Sequence, residues 1–282
     1  MSDKLVIGCG YLGRVVAAQW RNAGHRVFVT TRSPQRAEEL RLLGLEPIVC
    51  DVLRPESLRA LPSSVATIVH CVGFDRTAGV PMRTVYVDGL RNVLSALAGW
   101  AGRLVYVSST GVYAQTDGEE VDEAAATQPT EDSGRVILEA ERLLRERRPA
   151  VVLRFAGIYG PGRLIRSREI LAGAAIVGDA DKWLNLIHVE DGAAAVVAAG
   201  ERGEPGTIYN VCDDRPVRRR DFYTRLAAVL AAPPPRFVAA PRSDPVNRRI
   251  VNRRMKAELG VVLRYPSFEA GLELAAFGSA GG

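Results

Sequence analysis

The short run Lys4-Leu5-Val6-Ile7 opens directly into Gly8-Cys9-Gly10-Tyr11-Leu12-Gly13, and helical spacing follows. A buried strand that ends in G-x-G-x-x-G and continues as a helix leaves a chain few folds to choose from. Each glycine answers a separate steric demand. The first permits a tight turn, the second lets another molecule approach the backbone, and the third lets helix and strand pack closely. The helix start then offers unpaired N–H groups and the positive end of its dipole, which suit a phosphate. Gly8, Gly10, Tyr11, Leu12 and Gly13 are therefore candidate pyrophosphate contacts.

The pattern after this loop repeats strand and helix. Lys4 to Ile7, Arg26 to Thr30, Pro47 to Cys50, Ala66 to His70, Leu104 to Val107 and Val151 to Arg154 read as buried strands. Between them, Ser33 reads as an N-cap with Pro34 at the first helical position and Gly44 as the stop. Pro81 to Trp100 sets Tyr86, Leu90, Val93, Leu94 and Leu97 on one helical face, and Arg135 to Arg148 is helical up to Pro149. Such alternation predicts an α/β fold: a doubly wound parallel (Rossmann) sheet with ligands at the carboxyl ends of its strands. Beyond Arg154 the chain turns glycine-rich and loop-like, and Thr207 to Val211 reads as a strand returning to the sheet. Residues 1–156 are thus expected to form the nucleotide-binding domain with a strand near 207–211. Residues 157–205 and 213–275 form a smaller, discontinuous substrate lobe, and 276–282 a flexible tail.

Composition narrows the function. At 282 residues, with 47% hydrophobic and 24% charged, the chain can bury a full core. No apolar run reaches the ~18 residues of a membrane span, and the amino terminus is too short for a secretory signal. Cys9, Cys50, Cys71 and Cys212 are scattered, with no metal-ligand spacing. Free thiols, no metal and a cytoplasmic location are expected. The net charge is +5. Its arginine clusters lack the interleaved aromatics of a nucleic-acid platform, so no nucleic-acid partner is expected.

The second strand ends in Thr30-Thr31-Arg32-Ser33. An NAD site places an acid here for the ribose 2′-hydroxyl, and none stands between Val27 and Gln35. Thr31, Arg32, Ser33 and Arg36 instead suit a 2′-phosphate through charge-assisted hydrogen bonds. The expected cofactor is NADP.

Further motifs run in order along nearly the whole chain: Cys50-Asp51-Val52, His70-Cys71-Val72-Gly73, Ser108-Ser109-Thr110-Gly111, Leu153-Arg154 through Tyr159-Gly160-Pro161-Gly162, Asn185 through His188-Val189-Glu190-Asp191, and Tyr209-Asn210-Val211. Together they resemble the extended short-chain dehydrogenase/reductase superfamily of NAD(P)-dependent epimerases and dehydratases, in its atypical subgroup. The resemblance implies cofactor contacts at Asp51, Val52, Cys71, Val72, Gly73, Ala156, Gly157 and Ile158. It also implies a homodimer, as family members often pair through a four-helix interface. Family enzymes carry a Tyr-x-x-x-Lys pair on the helix before the Leu-Arg strand. Counting back from Glu141, those positions here hold Ser133 and Ile137, with no tyrosine between Tyr113 and Tyr159 and no lysine between Lys4 and Lys182.

Ser109 is the first catalytic candidate, a hydroxyl at a strand end able to polarise a substrate oxygen, with Thr110 adjacent. A lone serine is a poor proton source near neutrality. His188 is a candidate acid–base group, and Asp88, before Gly89, a candidate for orienting water or the Ser109 loop. Tyr159, Arg163 and Asn185 are candidate substrate contacts, the arginine for an anionic group. These residues point to an NADP-dependent oxidoreductase or epimerase-like enzyme acting on a small hydroxyl- or carbonyl-bearing substrate, nucleotide sugars included. The rival reading is a non-catalytic NADP-binding sensor or partner protein that has lost the tyrosine and lysine.

Overall fold

Seven strands, all parallel, build the central sheet of the computed structural model, which describes residues 2–240 and 245–277. Lys4–Ile7 (β1), Val27–Thr31 (β2), Glu46–Val49 (β3), Thr67–His70 (β4) and Arg103–Ser109 (β5) are joined by Val151–Phe155 and Ile208–Val211. Their spatial order is Ile208–Val211, Val151–Phe155, β5, β4, β1, β2, β3. From β1 the chain winds outward to β2 and β3, then returns to place β4 on its other side. The switch point therefore opens a crevice at the carboxyl ends of β1 and β4. Each expected strand is present within two residues, including the one near 207–211, which pairs with Val151–Phe155.

Helices cover both faces. Tyr11–Asn22 (α1) buries Leu12, Val16, Ala17 and Trp20, a stripe at helical spacing. Pro34–Leu42 (α2) starts as expected, with the Ser33 hydroxyl accepting a bond from the Arg36 N–H, and ends before Gly44 in a left-handed conformation. Gly89–Ala96 (α3) follows a π-helical turn, Thr84–Asp88, in which the Gly89 N–H reaches back to the Thr84 carbonyl. Asp132–Arg147 (α4) begins three residues earlier than its periodicity indicated and faces the sheet with Leu138, Ala140, Glu141 and Leu144.

The smaller lobe has its own core of Tyr159, Ile170, Ile176, Leu186, Phe222, Leu226, Phe268 and Leu272. Two segments expected in that lobe belong with the sheet instead. The helix Val189–Arg202 packs along α1, and its alanines share one core with Val6, Val16 and Trp20; Met255 and Leu259 join the same core. Small side chains let this helix lie close against α1, which explains the apolar run 192–200. Residues 276 and 277 end the helix Phe268–Phe277 rather than a tail, and 278–282 lie outside the described residues. All four cysteines are free. Burial raises the Cys9 and Cys50 thiols to about 11, so neither is a ready thiolate. Among the described residues no helix is long and apolar enough to cross a membrane, and no cluster of ligating side chains suits a metal.

Candidate functional site

A cleft of about 640 Å³ opens at the carboxyl ends of β1 to β4. It gathers Gly8, Gly10, Thr31, Arg32, Ser33, Arg36, Asp51, Val52, Val72 and Gly73, ten residues singled out in the sequence as cofactor contacts. Gly8 sits at φ +95, a conformation that favours glycine, and its N–H bonds the Thr30 hydroxyl at 2.9 Å. Gly10 has an ordinary φ of −85, and a Cβ there would meet no protein atom within 4 Å. Nothing inside the chain asks for glycine at that position. No side chain caps α1 either, so its first N–H groups face the cleft mouth without a side-chain partner. A bare helix start beneath an open glycine fits a dinucleotide pyrophosphate.

The other predicted contacts stand behind this wall. A Cβ on Gly13 would run into the Gly8 carbonyl, and the Cys71 thiol bonds that same carbonyl at 3.1 Å. Leu12 is core. The Tyr11 hydroxyl donates to the Pro161 carbonyl at 3.1 Å, and the exposed Arg163 lies 5.3 Å over the Tyr11 ring. Gly157 and Ile158, which follow Ala156, belong to a short strand, Gly157–Tyr159, paired with Leu186–His188, and none of the three lines the cleft.

At the β2 end, Arg36 donates to the Cys9 carbonyl at 2.9 Å, which holds its guanidinium over the glycine loop. Arg32 lies 3.9 Å from Asp75 with both side chains exposed. The acids of the cleft, Asp51 and Asp75, come from the ends of β3 and β4, and none comes from β2. Asp51 spends one oxygen on the Leu53 N–H at 2.9 Å.

The catalytic candidates divide sharply. Ser109 ends β5 half-buried, its Oγ accepting from the Gly111 N–H at 3.1 Å. His70 pairs with Tyr106 across β4 and β5, so Gly73 and Ser109 each lie three residues past that pair. Gly134 packs α4, the carrier of Ser133 and Ile137, directly on the Gly111 carbonyl. Asp88 does not join them. Its partly exposed carboxylate binds Arg91 at 2.7 Å and Arg83 at 3.6 Å. His188 is fully buried, and its Nδ1 accepts from the Glu190 N–H at 3.3 Å as the cap of Val189–Arg202. It lies between the Tyr265 ring at 3.9 Å and the Tyr159 ring at 5.2 Å, and burial lowers its pKa. This is a structural histidine, closed to solvent. Asn185 is likewise occupied, donating to the Arg248 carbonyl at 3.0 Å and accepting from the Ile250 N–H at 2.7 Å. Thr110 donates to the Phe155 carbonyl at 3.2 Å, and Tyr159 is buried.

Sequence reasoning overlooked a buried network behind Ser109. Arg154 grips Glu141 through two bonds of 3.0 and 2.7 Å, Ser108 donates to Glu141 at 2.5 Å, and Arg154 also reaches the Tyr113 hydroxyl at 2.9 Å. The Tyr113 hydroxyl in turn donates to Asn210 Oδ1 at 2.9 Å. Only the types of these residues, polar groups within apolar runs, hinted at it.

The model of the NAD dependent epimerase/dehydratase family matches residues 5–212. The chain belongs to that family. Among relatives of this epimerase/dehydratase chain, Protein YeeZ of Escherichia coli strain K12 is 30% identical over 277 residues, covering 94% of this chain and 97% of its own. The 3-diazoavenalumate denitrifying reductase of a Streptomyces species is 26% identical, with 95% and 98% covered. In structure, a functionally unknown conserved protein from Silicibacter pomeroyi DSS superposes with a TM-score of 0.80 at 31% identity, covering 99% of this chain and 100% of that one. The resemblance to extended short-chain dehydrogenases thus stands at the level of family and fold.

Proposed function

We propose that this protein is an NADP-dependent oxidoreductase with epimerase-like chemistry, acting on a small hydroxyl- or carbonyl-bearing substrate, nucleotide sugars included. The observation that carries the reading is the cleft itself: an open glycine and uncapped helix for the pyrophosphate, with Arg32, Ser33 and Arg36 at the β2 end where an NAD site keeps an acid. When bound, the nicotinamide supplies hydride chemistry. The protein's part is to hold the two phosphates on the Gly8–Gly13 loop, to meet the 2′-phosphate with Arg32 and Ser33, and to aim the Ser109 hydroxyl at the substrate oxygen. Arg163, exposed above Tyr11, suits an anionic substrate group. The four free thiols support a cytoplasmic location, and the homodimer rests on the resemblance to short-chain dehydrogenases alone. Ser133 and Ile137 on α4 favour a second reading, an NADP-binding sensor without turnover.

Calorimetric titration with NADPH and NADH, repeated on Arg32→Ala, tests this. Hydrogen bonds to charged groups contribute about 1.5–3 kcal/mol, so NADPH should bind roughly tenfold or more tighter than NADH. That preference should vanish in the variant while NADH binding stays. Equal binding of both nucleotides would remove NADP specificity, and binding of neither would overturn the reading.

A further inference from the structure

The site as described has a polarising hydroxyl and no evident proton carrier. The histidines do not supply one: His188 caps a helix, His25 bonds the Ser2 backbone far back on the sheet, and burial takes His70 down to about 4. Of the eight tyrosines, Tyr106, Tyr159 and Tyr223 are sealed in cores. Tyr113, Tyr209 and Tyr265 give their hydroxyls to Asn210, Glu258 and Glu190, and Tyr11 gives its own to Pro161. Tyr86 remains.

Several observations set Tyr86 directly behind the lining of the cleft. It sits in the π-helical turn Thr84–Asp88, an uncommon geometry that recurs at functional sites. Its neighbour Val85 and its ring partner Phe74, at 6.4 Å, both line the cleft. Phe74 follows directly on Gly73, three residues past His70, whose register partner Tyr106 stands three residues before Ser109. α4 packs against both the Tyr86 turn and the turn Thr110–Val112 that follows Ser109, so one helix holds the two segments together. Tyr86 is half-buried, and burial raises its pKa above that of an ordinary phenol, an effect that the nearby Phe74 N–H and the Arg163 charge partly offset. Tyr106 of β5 belongs to the apolar cluster against which Tyr86 packs.

We propose that Tyr86 is a catalytic residue, carrying the proton to and from the substrate oxygen that Ser109 polarises; the proposal rests on the oxidoreductase reading above. In reduction, with the hydride for the substrate carbon supplied by NADPH, which becomes NADP⁺, the Tyr86 Oη–H bond breaks and an O–H bond forms on the substrate oxygen; solvent then returns a proton to the phenolate. In oxidation the phenolate takes the hydroxyl proton. The Phe74 N–H and the Arg163 guanidinium stabilise the phenolate in either direction.

The test uses NADP⁺ as the probe and tyrosinate absorbance as the readout, with binding followed separately by calorimetry. Opposite charge placed near an acid lowers its pKa by about 1–3 units. Saturation with NADP⁺, whose nicotinamide is cationic, should therefore lower the midpoint of one tyrosine by at least about one pH unit. That change should be absent in Tyr86→Phe and kept in Tyr209→Phe, whose hydroxyl bonds Glu258 on the outermost strand, with NADP⁺ affinity within about threefold of wild type in both. If Tyr86→Phe fails to fold, Tyr86→Asn takes its place and still offers a polar group to the Phe74 N–H. A change that survives loss of Tyr86, or no change despite full NADP⁺ binding, would overturn the assignment alone. Failure of NADP⁺ to bind wild-type protein would overturn the cofactor reading, and the assignment with it.

Discussion

Three glycines that look equivalent on paper carry different physical loads in the loop. At Gly13 an added methyl collides with the Gly8 carbonyl, a backbone atom that cannot move without opening α1 from β1. At Gly10 the same methyl enters open space at an unstrained φ of −85. Gly10→Ala should therefore leave the melting temperature within about 2 °C of wild type, since surface changes fall within about ±0.5 kcal/mol. It should also weaken NADPH by at least tenfold, because the methyl stands where phosphate oxygens approach the backbone. Gly13→Ala should lower stability by about 1–3 kcal/mol through overpacking, read in a denaturant titration. Reversed outcomes would mean that the loop packs against protein rather than ligand. The motif and its place were legible at this scale, because strand, glycines and helix are contiguous in sequence. The roles of Asp88, His188 and Asn185 were not. A residue type announces its chemistry, whereas the partners it meets depend on flanking arginines, a buried cap and a backbone carbonyl 63 residues away.

Helix α4 shows the same division among elements. Its apolar spacing announced a helix facing a sheet, and Glu141 marked its register. What joins α4 to the sheet is the pairing of Glu141 with Arg154, both nearly without solvent exposure, together with the Ser108 hydroxyl. Partners 13 and 33 residues apart meet only after the strands are laid side by side. Removing one member of a buried pair strands the other's charge in a medium that solvates it poorly, at about 3–5 kcal/mol. Glu141→Ala should therefore lose about that much stability in urea. The double variant Glu141→Leu with Arg154→Met, apolar at both positions, should recover most of the loss. If Glu141→Ala costs under about 1 kcal/mol, the pair does not anchor α4, and the Ser109 loop that rests on Gly134 owes its position to something else.

For the whole molecule, the sheet and its order could be read from alternation, but the division into lobes could not. The helix Val189–Arg202 is apolar on almost every face, and such a run does not say which core takes it; close packing on α1 decides that. Two buried titratable groups, one beside each lobe's core, give folding stability an opposed pH dependence. His70 stacks on Tyr106 with an unpartnered Nε2. Desolvation takes its pKa from 6.5 to about 4. The unfolded chain thus binds its proton first, so stability is full above pH 6.5 and falls by about 3 kcal/mol as the pH drops towards 4. Asp213 lies at the lobe side, its N–H on the Leu186 carbonyl and its Oδ2 without a partner. Burial, with Asp214, Glu269 and Asp191 nearby, raises its carboxyl well above the ordinary range. There the unfolded chain releases its proton first, so stability declines as the pH rises above about 4. Melting curves from pH 4 to pH 8 separate the two. His70→Phe, which keeps the stack on Tyr106, should flatten the acid limb, and Asp213→Asn should raise stability at the neutral end and leave the acid limb in place. If His70→Phe keeps the wild-type loss below pH 6.5, the imidazole is hydrated in the folded protein. If Asp213→Asn lowers stability at pH 8, the carboxylate there is ionised and paired.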